Sequence, residues 1–96
     1  MAQLLTMSEA KEKLEIDFDY KNTEIQGLME AAEVSLFVAT GVTASEWANN
    51  EEYIALAREW VKRVVYYDYY PDRYTELERQ RQTSITKQLQ ALAYLI

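Results

Sequence analysis

Tyr53, Ala57, Trp60, Val61 and Val64 recur at helical intervals, a spacing that lays one apolar stripe along a helix. The same helix closes in the run Val65-Tyr66-Tyr67-Asp68-Tyr69-Tyr70-Pro71-Asp72-Arg73-Tyr74, which holds five of the chain's eight tyrosines. At about 100° per residue, Tyr67 stays near the edge of the stripe, whereas Tyr66, Tyr69 and Tyr70 fall on the opposite side. That back face is otherwise Glu52, Glu59, Lys62 and Arg63. The helix is therefore expected to be apolar on one side for most of its length and nearly all round at its end. A chain this small has too little partner surface to cover both sides of that end. Tyrosine supplies contact area at low entropic cost and is enriched where proteins meet. Tyr66, Tyr69 and Tyr70 are thus the first candidates for an interface with another protein surface.

The remaining segments read as helices with recognisable ends. Thr6-Met7-Ser8-Glu9 has the capping-box pattern, in which the Thr6 hydroxyl and the Glu9 carboxylate each satisfy a first-turn amide. Met7, Ala10 and Leu14 mark one face of a short first helix. The alternating stretch Ile16 to Asn22 lacks a partner strand and is expected to be an extended connection that tucks Ile16 and Phe18 inward. Thr23-Glu24-Ile25-Gln26 is expected to open a second helix in the same capped manner. Ile25, Leu28, Met29, Ala32, Leu36 and Ala39 form its stripe, and Gly41 is its expected stop. Val34 and Phe37 lie off that stripe, so either the core wraps round them or they meet another subunit. Thr43-Ala44-Ser45-Glu46 repeats the capping box ahead of Trp47 and predicts a single turn or a structured loop. Asn49 is the expected cap of the third helix, from about residue 50 to Tyr69, where Pro71 disfavours continuation.

Residues 73–82 have good helix formers but only two apolar positions, and they read as an exposed helix or a flexible loop. Arg73, Arg79 and Arg81 are candidate nucleic-acid or channel contacts. The plainer reading pairs Arg79 and Arg81 with Glu76 and Glu78 on a solvated face. A last, short helix is expected from near Ser84, with Ile85, Leu89, Leu92 and Ile96 as its docking stripe. The sum is an all-α fold, a small bundle of three main helices plus a short C-terminal helix, in one domain over residues 1–96. Its expected core is Ile25, Leu28, Ala32, Leu36, Ala57, Trp60, Val61, Val64 and Leu89.

Composition narrows the chemistry. The chain has no cysteine and no histidine, which removes disulfides, thiolate metal sites, the commonest general base and the most reactive nucleophile. Its two glycines, Gly27 and Gly41, are too far apart for a phosphate-binding loop. Asp17 and Asp19 do not begin a calcium loop, because the sixth and twelfth positions are Asn22 and Leu28. Glu30 and Glu33 share a helix edge without the histidines of a di-metal bundle. Trp47 and Trp60 read as core anchors. No enzyme activity, cofactor or metal is expected. No apolar run approaches the roughly 18 residues of a membrane span, and the first residues lack the basic start and apolar stretch of a secretory leader. The net charge of −6 is uneven. Residues 1–33 carry eight acids and three bases, residues 34–57 three acids and no base, and residues 58–96 five acids and seven bases.

Taken in order, these segments resemble the small head–tail connector proteins of tailed bacteriophages, a family also labelled as DNA-packaging proteins. The resemblance rests on Thr6-Met7-Ser8-Glu9-Ala10-Lys11-Glu12-Lys13-Leu14-Glu15-Ile16-Asp17. It rests equally on the second helix from Ile25 through Ala31-Ala32 to Thr40-Gly41, on the tyrosine-rich end of the third helix before Asp72-Arg73, and on Ser84-Ile85 with Gln88-Leu89. It covers nearly the whole chain. Glu15 and Gln90 stand where that family's pattern carries arginine, which removes any ion pair those arginines make. The resemblance implies a non-enzymatic ring of about a dozen copies with heterologous contacts. It would sit beneath the portal protein, extend the DNA channel and receive the next neck or tail component. It also implies a virion location at the head–tail junction, with the host cytoplasm as the place before assembly. An acidic channel wall would let DNA pass without tight binding.

The competing expectation is a small dimeric helical regulator that binds another protein or, less readily, DNA. A helix-turn-helix needs a compact turn and an exposed basic recognition helix. The only basic-amide stretch, Arg79-Gln80-Arg81-Gln82, has no such turn before it. The net charge of −6 and the acidic first half place little duplex affinity in this chain. The expected outcome of a binding titration at physiological salt is a dissociation constant weaker than about 1 μM, the strong end of non-specific binding. Tighter binding would turn attention to Arg73, Arg79 and Arg81.

Overall fold

The computed structural model describes residues 4–95 of the chain, and all regular structure in them is helical. Five helices follow in order: α1 (Met7–Leu14), α2 (Asn22–Thr40), the single turn α3 (Ala44–Trp47), α4 (Glu51–Tyr69) and α5 (Glu76–Ala93), with a short 3₁₀ turn at Pro71–Arg73. The fold is an all-α bundle. Its C-terminal helix is a full-length member with 18 residues, which begins at Glu76 and not near Ser84. The short helix is α1, with 8 residues.

The helix ends follow local chemistry. The Thr6 hydroxyl accepts from the Glu9 N–H (3.1 Å) and the Glu9 carboxylate accepts from the Thr6 N–H (3.0 Å), closing the predicted capping box. At α3 the Glu46 carboxylate accepts from the Thr43 N–H at 3.0 Å. The expected cap at Thr23 is not made: α2 starts two residues earlier than that cap implies, at Asn22 after Lys21, without a side-chain cap. Asn50, not Asn49, caps α4 by accepting from the Tyr53 N–H at 2.9 Å. Gly41 stops α2 in the left-handed region (φ 73°). Glu15 ends α1 in the same region (φ 61°). Its turn sends the chain into the extended connection, where Ile16 is buried and Phe18 stacks on Tyr20 at 4.3 Å. Tyr70 leaves the helical conformation (φ −122°, ψ 70°) before Pro71 and closes α4.

Every other element packs on α4, and α2 also meets α1 and α5. The core gathers Ala10 and Leu14 from α1, Ile25, Met29, Ala32 and Leu36 from α2, Tyr53, Ala57, Trp60, Val61 and Val65 from α4, and Leu89 from α5. Leu4 and Leu5, ahead of α1, are buried as well. Leu5 stands immediately before the Thr6 cap, the position from which an apolar side chain staples a helix start. Seven of the nine expected core residues are buried; Leu28 and Val64 are half-buried at its margin. On α4 the buried line runs through Val61 to Val65, not Val64. Ile96, the last residue of the expected α5 stripe, lies outside the described residues.

Two polar arrangements tie the helices together. The Thr40 hydroxyl donates to the Leu36 carbonyl (2.9 Å) and so accepts from the fully buried Tyr53 hydroxyl (2.9 Å), joining α2 to α4. Burial pushes the Tyr53 phenol above its ordinary value, and the bond to Thr40 opposes this. Between α4 and α5, Trp60 Nε1 donates to the Thr86 hydroxyl (2.8 Å). Arg63 donates to Gln82 Oε1 and to Glu78 Oε2, each at 2.8 Å, and Tyr67 donates to the same Glu78 oxygen at 2.8 Å. The Tyr67 hydroxyl and the Arg63 guanidinium hold the Glu78 carboxyl below the ordinary carboxylate range.

Val61 has no exposed surface. Val61→Asp is expected to abolish the helical circular-dichroism signal, since an unpaired buried carboxylate costs several kcal/mol. Glu59→Ala, on the exposed side of the same helix, is expected to leave stability within about 0.5 kcal/mol.

Candidate functional site

The tyrosine-rich end of α4 is not a free surface. Tyr66, Tyr69 and Tyr70 are half-buried and pack against the core. The expectation that they face away from it is corrected by the path of α1 and the connection after it. The last carbonyls of a helix lack intrahelical partners, and the Tyr70 hydroxyl donates to the one at Leu14, at 2.9 Å. Lys13 lies over the Tyr66 ring (5.2 Å) and Lys21 over the Tyr69 ring (5.6 Å), so both flanks of the connection rest on aromatic faces. The rings also support one another, Tyr66 to Tyr70 at 5.2 Å and Tyr69 to Tyr70 at 4.8 Å. The helical wheel placed these rings correctly on the back of α4. It had no means of showing that an eight-residue helix folds onto that back.

The three arginines are likewise engaged within the chain. Arg73 stacks over Tyr70 at 4.0 Å and donates to the Tyr66 hydroxyl at 2.7 Å. Arg79 pairs with Glu76, and Arg81 pairs with Glu78. The paired, solvated face is the arrangement seen. These exposed pairs contribute little to stability. They also neutralise part of the positive field that nucleic-acid contact needs.

Val34 and Phe37 are on the surface, so the core does not wrap round them. Val34 is 64% exposed and Phe37 48%, and Val38, which sequence periodicity did not single out, is 78% exposed. All three lie on the side of α2 opposite the buried line of Ile25, Met29, Ala32 and Leu36. Beside them a groove of about 570 Å³ opens between α2 and α3, lined by Leu4, Val34, Phe37, Val42, Ala44 and Trp47. Glu30 and Glu33 also reach it, the latter accepting from the Leu4 N–H at 2.8 Å. Trp47 is half-buried and packed on the core, while its groove side is open. This apolar face with an acidic margin is the strongest candidate interaction surface. One sequence signal pointed to it: valine and phenylalanine at positions where an amphipathic helix is normally polar.

The tyrosine contacts generate a stability expectation. Tyr70→Phe removes only the hydroxyl and is expected to cost about 1 kcal/mol, because the Leu14 carbonyl loses its partner. Tyr66→Ala combined with Tyr70→Ala is expected to lower unfolding free energy by on the order of 3 kcal/mol in a denaturant titration. An unchanged midpoint would return these rings to the role of an exposed contact surface.

Among the described residues, no helix is long and apolar enough to cross a membrane. Compared with protein-family models, with curated proteins and with solved structures, the chain matches none of them.

Proposed function

We propose that the chain is a structural subunit of a phage head–tail connector ring, docking below a portal protein, lengthening the DNA channel and receiving the next neck or tail component. The observation that carries this reading is the outward apolar face of α2. Val34, Phe37 and Val38 stand exposed on a rigid, well-packed helix, beside a groove large enough for side chains from another surface. Contiguous apolar surface on a small domain marks a place where another protein sits.

The charge distribution supports the same reading. Residues 22–57 contain six acids and no base. A ring of such subunits presents phosphate with repulsion, so DNA slides past without being held. The order of capped helices, with the Thr40-Gly41 stop and the tyrosines before Asp72-Arg73, supports the family resemblance.

Purified protein mixed with portal particles tests the reading. The expected outcome is a cyclic complex of about a dozen copies on the portal, observed by electron microscopy. Val34→Asp with Val38→Asp is expected to abolish that complex while leaving the helical signal unchanged. A stable dimer that ignores the portal would favour a helical regulator instead.

A further inference from the structure

The outer face of α2 has a counterpart in the same chain. The turn that closes α5 presents Tyr94 (93% exposed) and Leu95 (81%) to solvent, with Ala91 and Lys87 of the helix also exposed before them. Its charge is opposite to that of the α2 region. Arg79 and Arg81 are paired with Glu76 and Glu78, but residues 82–95 carry Lys87 and no acid, against the six acids and no base of residues 22–57.

The two faces also match in spacing. On α2 the order is Gly27, Glu30, Val34, Phe37, Val38; on α5 and its final turn it is Ser84, Lys87, Ala91, Tyr94, Leu95. Each pair is separated by 57 positions, so the same intervals recur on both. With a rise of about 1.5 Å per residue, two such helices laid side by side in the same direction bring Lys87 level with Glu30. Tyr94 and Leu95 then come level with Phe37 and Val38. Glycine inside a helix costs about 1 kcal/mol relative to alanine. Gly27 has an ordinary helical backbone, and nothing lies within 4 Å of where its Cβ would be. The fold leaves open space above Gly27, where a second helix has room to approach closely.

We infer that the C-terminal end of α5 of one copy docks, parallel and in this register, on the outer face of α2 of the next copy, with its apolar side chains at the groove between α2 and α3. The two patches share no residue, so one subunit uses both at once and the contact is heterologous, the kind that propagates into a ring. Burial of the five large apolar side chains supplies attraction, and the charge asymmetry selects the pairing over α2-to-α2 or α5-to-α5 contacts, where like charges meet. This contact deepens the ring-subunit reading and rests on it.

The absence of native cysteine makes oxidative crosslinking a direct test. Val38→Cys and Leu95→Cys are introduced singly, and the two proteins are mixed. The mixture is expected to form a disulfide-linked heterodimer at least about tenfold faster than either protein forms a homodimer, the local concentration at a docked contact exceeding that of random collision. A chain carrying both substitutions is expected to give a ladder of linked oligomers. The collision rate is set by Glu59→Cys mixed with Asp72→Cys, both at exposed positions. Dominant Val38→Cys homodimers, dominant Leu95→Cys homodimers, or mixed crosslinking no faster than the collision control would each overturn the inference. If rings form on the portal while this pair fails to crosslink, the contact is wrong and the ring-subunit reading stands. If the ladder forms and the portal is ignored, the contact stands and that reading falls.

Discussion

The helix α4 touches every other element of the fold, including the 3₁₀ turn that follows it. A domain of this size buries only about 60–70% of its unfolded surface, so it cannot sustain several separate cores. One helix must serve as the common wall. α4 meets all three of α2, α5 and α1: Tyr53 bonds Thr40 of α2, Trp60 bonds Thr86 of α5, and Tyr70, at its end, bonds the Leu14 carbonyl of α1. What remains exposed on it is Glu51, Glu52, Ala55, Glu59 and Asp68. The demand on α4 explains why the other helices are amphipathic and why their outer faces can be spent on other tasks.

The joint between α4 and α5 shows the limits of periodicity. α5 has a single buried residue, Leu89, and its first half offers almost nothing apolar. It is held there by side chains: Arg63 and Tyr67 converge on Glu78, Gln82 bonds both Arg63 and the Trp60 carbonyl, and Thr86 receives Trp60. These partners lie 11 to 26 residues apart in the chain. A hydrophobic stripe cannot announce them, and so residues 73–82 read as an exposed helix or a flexible loop until their partners across α4 are known. The capping boxes at Thr6 and Thr43 and the glycine stop at Gly41 were legible because each depends on residues within a single turn.

The candidate surface was half legible for a related reason. Periodicity finds which side of a helix is apolar: it found the back of α4 and set Val34 and Phe37 off the stripe of α2, without deciding between core and surface. It does not say which of two apolar faces the chain will cover with its own material. The answer depended on α1, a helix short enough to look dispensable, whose final carbonyl meets Tyr70 across 56 positions. Covering the tyrosines left the valines and the phenylalanine of α2 as the uncovered face. The exposed charges followed the ordinary pattern, pairing at short range on α5.

The two tryptophans stand at different depths and on different elements. Trp60 is buried between α4 and α5, its indole N–H held by Thr86. Trp47 is half-buried on α3 and borders the groove beside Phe37. Indole emission responds to the polarity and rigidity around the ring, so the molecule carries two optical gauges with separate meanings. A spectral change confined to Trp47 reads occupancy of the groove, whereas a change that includes Trp60 reads the loosening of the bundle itself. With one tryptophan replaced by phenylalanine at a time, association and unfolding become distinguishable in the same cuvette without any attached dye.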